Sequence, residues 1–244
     1  MSPTRLPLLD VSDAPAAPSR PPVRAVIFDC DGTLVDSEGP ALATLHALAC
    51  EEGAAISLAD ADRLFRGVRM LDCARWVAAQ RPDRPEGFET GFIRRVRLAS
   101  EARFRQGMAP IAGAPELLAL LARLALPVAV ATNGPRDKVE LTLALTGLRA
   151  AFGEHVYCAY EVGMFKPEPG LFLHAAQALG VEPAYCMVIE DSLPGVRAGL
   201  AAGMQVLALM AADDLPAGLA AQVRRLDHLA EAGAWLQAGP AASG

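Results

Sequence analysis

Short apolar runs, separated by stretches of helical periodicity, recur along the chain. Apolar runs of this kind, rich in β-branched side chains, are typical of buried strands. They predict strands at 23–28, 127–131, 155–159, 185–189 and 205–210, with helices at 114–125, 136–147, 168–180 and 194–202. The alternation predicts an α/β fold, a doubly wound parallel sheet with helices on both faces.

The interval 38–106 interrupts this alternation, because its periodicity is helical throughout. It predicts helices at 40–52, 58–65, 70–80 and 86–105. We therefore expect a flexible leader at 1–22, an α/β core domain at 23–37 and 107–237, an inserted helical cap domain at 38–106, and a flexible tail at 238–244. Connections near 36–39 and 106–113 would let the cap hinge over the sheet and exclude water.

Composition narrows the classes of function. The 244 residues are 52% hydrophobic, which suffices for a sizeable core, and a net charge of −6 argues against a general nucleic-acid binder. No apolar stretch has the length needed to span a bilayer. Five cysteines without a CxxC pair favour an intracellular chain. We expect a cytoplasmic monomer or weak homodimer that binds neither nucleic acid nor membrane.

An acidic turn follows the first predicted strand. Asp29 and Asp31 lie two residues apart at the strand end, so their carboxylates point to the same side, and Gly32 allows a sharp turn behind them. Clustered carboxylates repel one another unless a cation offsets their charge, and a hard cation such as Mg²⁺ prefers oxygen ligands. One carboxylate can then attack phosphorus while its neighbour moves protons.

Two simpler interpretations of this turn compete with a catalytic one. An acidic turn is most often a solvated surface loop. A calcium-binding loop also begins D-x-D, but it requires Gly at its sixth position and Glu at its twelfth, where this chain has Leu34 and Pro40. The segment before the turn also has the pattern of a strand rather than a helix.

Polar groups follow the second and third predicted strands as well. Thr132 and Asn133 precede a predicted helix, where a hydroxyl and an amide suit phosphate oxygens, although a helix N-cap is favoured for this pair alone. Lys166 lies in F-K-P-E-P, and Pro167 holds it near a helix start, where an ammonium group can meet phosphate or neutralise the carboxylate of the nucleophile. Taken singly, Lys166 is more simply a solvated loop lysine.

Two adjacent acids, Glu190 and Asp191, follow the fourth predicted strand and are candidates to complete a metal site with Asp29. An N-cap role is the alternative for Asp191 or Ser192. Together the four clusters are stronger evidence for a site than each is alone, because the carboxyl ends of parallel strands line one crevice at the topological switch point. Carboxylates, a hydroxyl and an ammonium group gathered there match the needs of phosphoryl transfer.

Four motifs occur in order across residues 24–210: D-C-D-G-T-L-V-D-S-E, A-T-N-G, F-K-P-E-P and V-I-E-D-S-L-P-G-V-R-A-G. In these motifs the chain resembles the haloacid dehalogenase-like superfamily of phosphohydrolases. The helical insert resembles the α-helical cap of the phosphoglucomutase-like branch. The resemblance implies a Rossmann-like core. Asp31 argues against a dehalogenase, since haloacid dehalogenases lack that aspartate.

The resemblance also implies roles for individual residues. Asp29 would be the nucleophile that forms an aspartyl-phosphate, and Asp31 would protonate the leaving oxygen and then activate water. Mg²⁺ would be held by Asp29, the backbone carbonyl of Asp31 and Asp191, with Glu190 in or beside the metal shell. The transferring phosphoryl group would be bound by Thr132 and Lys166, helped by backbone N–H groups around Gly32 and Asn133.

The expected activity is Mg²⁺-dependent hydrolysis of a small phosphorylated sugar or sugar acid, with 6-phosphogluconate favoured. A β-phosphoglucomutase-like transfer is the first alternative, but its pattern places a His near Ala41 and an Arg near Met70, which this chain lacks. A phosphoglycolate-type phosphatase and a non-catalytic sugar-phosphate binding module are further alternatives.

Arginines are frequent in the predicted cap, and most of them are expected on solvated helix faces. Arg66 and Arg69 flank Gly67 just before a predicted helix start. Guanidinium groups pair well with carboxylates. These two arginines are therefore the candidates to contact an acidic substrate.

Overall fold

The computed structural model describes residues 21–66, 68–81 and 83–238, so almost all of the predicted leader and tail lies outside the described residues. Within these ranges, parallel strands form one sheet in the order β3-β2-β1-β4-β5-β6. The strands are β1 Ala25–Phe28, β2 Val128–Thr132, β3 Val156–Cys158, β4 Cys186–Glu190, β5 Gln205–Leu209 and β6 Arg224–Leu226. The doubly wound α/β fold predicted from the sequence is confirmed.

Helices connect and cover the strands. They are α1 Glu38–Glu51, α2 Leu58–Phe65, α3 Met70–Ala79, α4 Phe88–Gln106, α5 Ala114–Arg123, α6 Arg136–Leu145, α7 Ala159–Val162, α8 Gly170–Leu179, α9 Leu193–Ala201, α10 Ala217–Ala220 and α11 Leu229–Gln237. Short 3-10 turns lie at Arg149–Phe152, Pro183–Tyr185 and Ala212–Asp214. Across the described ranges, no helix is both long enough and apolar enough to cross a membrane.

The sheet is covered on both faces because side chains alternate along each strand. In β1, Val26 and Phe28 join the cluster beneath α5, α6 and α11, whereas Ala25 and Ile27 join the cluster beneath α8 and α9. All four side chains are fully buried. The continuous apolar runs read from the sequence therefore reflect strands buried on both faces.

The sheet has a sixth strand, β6, and a final helix, α11, that the sequence analysis did not predict. β6 contains two arginines and only one buried residue, Leu226, so it lacks the apolar run of a central strand. It is an edge strand, which pairs only with β5. The sequence contained a signal for α11, because Glu231 stands three residues after His228, the spacing of a capping box. In the structure Glu231 accepts a hydrogen bond from the His228 N–H.

Helices α1–α4 occupy the stretch assigned to the cap, and they bury an apolar cluster of their own. Phe65 packs edge-on against Trp76, and Phe88 stacks on Phe92. This cluster is separate from the two clusters that cover the sheet. The insert therefore has its own core, as expected of a domain.

The two connections between the sheet and the helical insert run side by side. The Asp36 N–H donates to the Ala109 carbonyl at 3.1 Å, and the Ile111 N–H donates to the Leu34 carbonyl at 2.9 Å. Val35 and Pro110 form an antiparallel bridge between these hydrogen bonds. The path into the insert thus starts within a few residues of the acidic turn.

Candidate active site

The acidic turn lies at the topological switch point of the sheet. β2 lies on one side of β1 and β4 on the other, and the Asp29 N–H donates to the Ile189 carbonyl of β4 at 3.0 Å. In a doubly wound sheet this is where ligands bind. The turn requires glycine, because Gly32 has a φ of +78° and a Cβ there would lie 2.1 Å from Asp191 Oδ2.

Lys166 links the first and fourth motifs through two buried ion pairs. Its Nζ lies 2.5 Å from Asp29 Oδ1 and 2.6 Å from Glu190 Oε1. Burial alone would lower the pKa of Lys166, but the two carboxylates outweigh it and hold that pKa above its usual value. The two carboxylates therefore favour the charged form of Lys166, which contacts the predicted nucleophile.

Glu190 is fully buried, and both of its carboxylate oxygens already accept hydrogen bonds. Oε1 accepts from Lys166, and Oε2 accepts from the backbone N–H and the hydroxyl of Ser192, both at 2.8 Å. These contacts make Glu190 the anchor of Lys166. A direct bond from Glu190 to a metal stays a prediction.

Two groups that the sequence analysis did not assign to the site hold Asp31. The Ser37 hydroxyl donates to Asp31 Oδ1, and the Lys138 Nζ lies 2.8 Å from the same oxygen. Burial would raise the pKa of Asp31, but Lys138 and then Ser37 outweigh it and bring that pKa below its usual value. One feature of the sequence could have pointed to Lys138: it is one of only two lysines in the chain.

Thr132 and Asn133 lie where the sequence analysis expected them, at the end of β2. Thr132 is 2% exposed, and its hydroxyl accepts a hydrogen bond from the Gly134 N–H at 3.0 Å. The Asn133 side chain brackets the Lys166 backbone, accepting from its N–H at 3.0 Å and donating to its carbonyl at 3.2 Å. Phosphate binding by this loop stays a prediction, and the Asn133 amide has the additional task of placing Lys166.

Carboxylates crowd the crevice. Burial raises the pKa of Asp29 to about 7 against the lowering effect of Lys166, and repulsion from Glu190 adds to the rise. Burial also raises the pKa of Asp191 well above its usual value, followed by repulsion from Asp29, Glu190 and Glu38. The Thr33 hydroxyl donates to Asp191 Oδ1 at 2.9 Å. Burial is the main cause of both rises, and repulsion among the carboxylates adds to it.

The donor set fits Mg²⁺. Asp29, Asp31, Glu190 and Asp191 carry four negative charges when ionised, and Lys138 and Lys166 carry two positive ones, so a divalent cation would balance them. Among the residues described, no group of three or more His, Cys, Asp or Glu side chains forms a metal site by itself. The expected ligand set needs only two side chains and a backbone carbonyl, and Mg²⁺ usually keeps several waters.

The two candidate arginines of the cap differ in their surroundings. Arg66 Nη1 lies 2.7 Å from Glu38 Oε2, and Arg66 also pairs with Asp62. Glu38 directly follows Ser37, whose hydroxyl donates to Asp31, so Arg66 contacts the residue next to one that borders the crevice. Arg69 is 82% exposed and pairs with Asp72, three residues on.

Comparison with known proteins places this crevice in a family. The model of the haloacid dehalogenase-like hydrolase family matches residues 23–203, which include the motifs around Asp29, Thr132, Lys166 and Asp191. The chain belongs to this family. It is therefore an enzyme of the hydrolase class, and its sheet has the Rossmann-like fold of the family.

Two curated relatives are phosphatases, and the match covers more than four fifths of each. A 6-phosphogluconate phosphatase of Escherichia coli (strain K12) is 30% identical over 184 residues, covering 75% of this chain and 81% of the relative. Hexitol phosphatase A of the same organism is 33% identical over 200 residues, covering 79% of this chain and 86% of the relative.

A solved structure of the family contains a bound phosphate. It is a HAD family hydrolase from Deinococcus radiodurans R1 with bound phosphate and sodium. It is 33% identical to this chain, with a TM-score of 0.71 over 89% of this chain and 96% of that one.

The Glu190 anchor predicts a difference between two helix N-caps. Ser57 and Ser192 both accept a backbone N–H as caps of α2 and α9, but the Ser57 hydroxyl donates to exposed Asp60, whereas the Ser192 hydroxyl donates to buried Glu190. Losing a cap costs about 1 kcal/mol, and losing a hydrogen bond to a buried charged group costs about 1.5–3 kcal/mol more. Ser192→Ala should therefore lower the free energy of unfolding, measured with urea, clearly more than Ser57→Ala. Equal losses would contradict the anchor.

Proposed function

We propose that the protein is a Mg²⁺-dependent phosphatase that hydrolyses a small phosphorylated sugar or sugar acid through an aspartyl-phosphate on Asp29. One observation carries the proposal. The Asp29 carboxylate is buried in contact with the ammonium group of Lys166, while a second carboxylate, Asp31, lies two residues away on the same turn. Family membership and the phosphatase relatives support the same chemistry.

The first step forms the bond between Asp29 and phosphorus. The bond between phosphorus and the ester oxygen breaks, and protonated Asp31 passes its proton to that oxygen, so the alcohol leaves neutral. Because Lys138 and Ser37 lower the pKa of Asp31, only its protonated fraction serves this step, whereas the prevailing carboxylate serves the second step. Lys166 offsets charge on Asp29 and on the phosphoryl oxygens, which depend mainly on positioned positive charge for stabilisation. When bound, Mg²⁺ would supply further positive charge, with Asp29, Asp191 and the Asp31 carbonyl as its ligands.

The second step returns the enzyme to its starting state. Water attacks phosphorus, and the Asp31 carboxylate takes the proton that the water releases. The bond between phosphorus and Asp29 breaks, which frees inorganic phosphate and restores the Asp29 carboxylate. Asp31 thus donates one proton and recovers one in each cycle.

For the substrate we propose 6-phosphogluconate, on the strength of the relative at 30% identity and of Arg66, which pairs with Glu38 beside Ser37. The substrate carboxylate would replace Glu38 as the partner of the Arg66 guanidinium. A hexitol phosphate is the second candidate, because hexitol phosphatase A is 33% identical. We place the enzyme in the cytoplasm, which is supported by its five free cysteines.

Release of phosphate from a panel of esters tests the proposal. With Mg²⁺, the protein should hydrolyse 6-phosphogluconate, and chelation with EDTA or the variant Asp29→Asn should remove the activity. Hydrolysis that survives either change would contradict the mechanism. Conversion of β-glucose 1-phosphate to glucose 6-phosphate without phosphate release would instead show a mutase.

Arg66 predicts which of the two substrates is preferred. Arg66→Ala should raise the KM for 6-phosphogluconate by about tenfold or more, the effect of losing a charge-assisted hydrogen bond, and should change the KM for a hexitol phosphate little. Arg69→Ala is the matched control, since Arg69 is exposed and paired with Asp72. Equal effects of Arg66→Ala on both substrates would show that Arg66 does not recognise the carboxylate.

A further inference from the structure

Lysine is rare in this chain, and both lysines lie in the crevice. Of 22 basic residues, 20 are arginines, and the two lysines are Lys138 and Lys166. Each contacts one of the two carboxylates of the acidic turn: Lys166 contacts Asp29 at 2.5 Å, and Lys138 contacts Asp31 at 2.8 Å. A chain that uses arginine almost everywhere else therefore uses the compact ammonium group at these two places.

The surroundings of Lys138 explain why a compact cation is needed there. Lys138 lies in the first turn of α6, and its side chain is 29% exposed. Beside the other oxygen of Asp31, a Cβ at Gly134 would lie 3.3 Å from both Asp31 Oδ2 and Thr132 Oγ1. The ammonium group of lysine contacts a single oxygen of a carboxylate, whereas the planar guanidinium fork of arginine favours pairing with both oxygens.

We propose that Lys138 is a positioning residue for the proton transfer performed by Asp31. Lys138 and the Ser37 hydroxyl hold Asp31 Oδ1 from two sides, which aims the other oxygen, Oδ2, toward the loop that carries Thr132. The inference rests on the proposed function, because it assumes that Asp31 protonates the leaving oxygen. Lys166 would serve the attacking carboxylate, and Lys138 would serve the one that moves the proton.

The contribution of Lys138 to the rate of ester cleavage should depend on the leaving group. When Asp31 gives its proton to a sugar oxygen, its carboxylate gains a negative charge that the neighbouring ammonium group offsets. A sugar alkoxide is a poor leaving group and needs this proton. A p-nitrophenolate departs without it, so the first step with p-nitrophenyl phosphate depends little on Asp31 or on Lys138.

The test compares kcat/KM, which reports on the steps up to ester cleavage, for a sugar phosphate and for p-nitrophenyl phosphate. Lys138→Met should lower kcat/KM about 100-fold for the sugar phosphate, in the range typical of general acid catalysis, and less than about fivefold for the aryl ester. Arg136→Met removes a positive charge from the same helix turn, where Arg136 pairs with Glu140 and Glu161. This control should leave the ratio between the two substrates unchanged.

A double variant separates positioning from general support of the fold. In an Asp31→Asn background, Lys138→Met should cause almost no further loss with the sugar phosphate, because the two residues act as one unit. Equal losses on both esters, additive losses in the double variant, or the same change of ratio in Arg136→Met would each overturn the inference. A wild-type protein that hydrolyses neither ester would instead overturn the proposed function, and this inference with it.

Discussion

The buried ion pairs of Lys166 are the interaction on which the site depends. One ammonium group joins Asp29 at the end of β1 to Glu190 at the end of β4, across the switch point of the sheet. Removing one partner of a buried pair leaves an uncompensated charge, which is costly in a medium that screens charge poorly. Neighbouring residues fix both partners by hydrogen bonds: Ser192 donates to Glu190, and the Asn133 side chain bonds the backbone N–H and carbonyl of Lys166.

The topology explains why these groups meet. Parallel strands deliver their carboxyl ends to one edge, so four segments far apart in sequence open onto one crevice. The paired connections at Asp36 and Ala109 begin beside that crevice and lead to the helical insert. Ser37, at the entrance to the insert, donates to Asp31. The geometry therefore couples the position of the insert to the residue proposed to move the proton.

Local patterns predicted the sheet, the helical insert and the four polar clusters, because strand burial and turn chemistry are written in neighbouring residues. They did not predict β6, because this edge strand contains two arginines and lacks an apolar run. They assigned no role to Lys138, because its importance comes from contact with Asp31, which is distant in sequence. They also did not show that the Asn133 side chain holds Lys166, since both hydrogen bonds form only in the folded protein.

Trapping the phosphorylated enzyme tests the central claim most directly. In Asp31→Asn, p-nitrophenyl phosphate should still phosphorylate the protein, because its leaving group needs no proton, while the water step lacks its base. Acid quenching and mass spectrometry of the peptides should then find close to one phosphoryl group per chain, on Asp29. Release of p-nitrophenol with the phosphoryl group on another side chain, or with unmodified protein, would contradict the account.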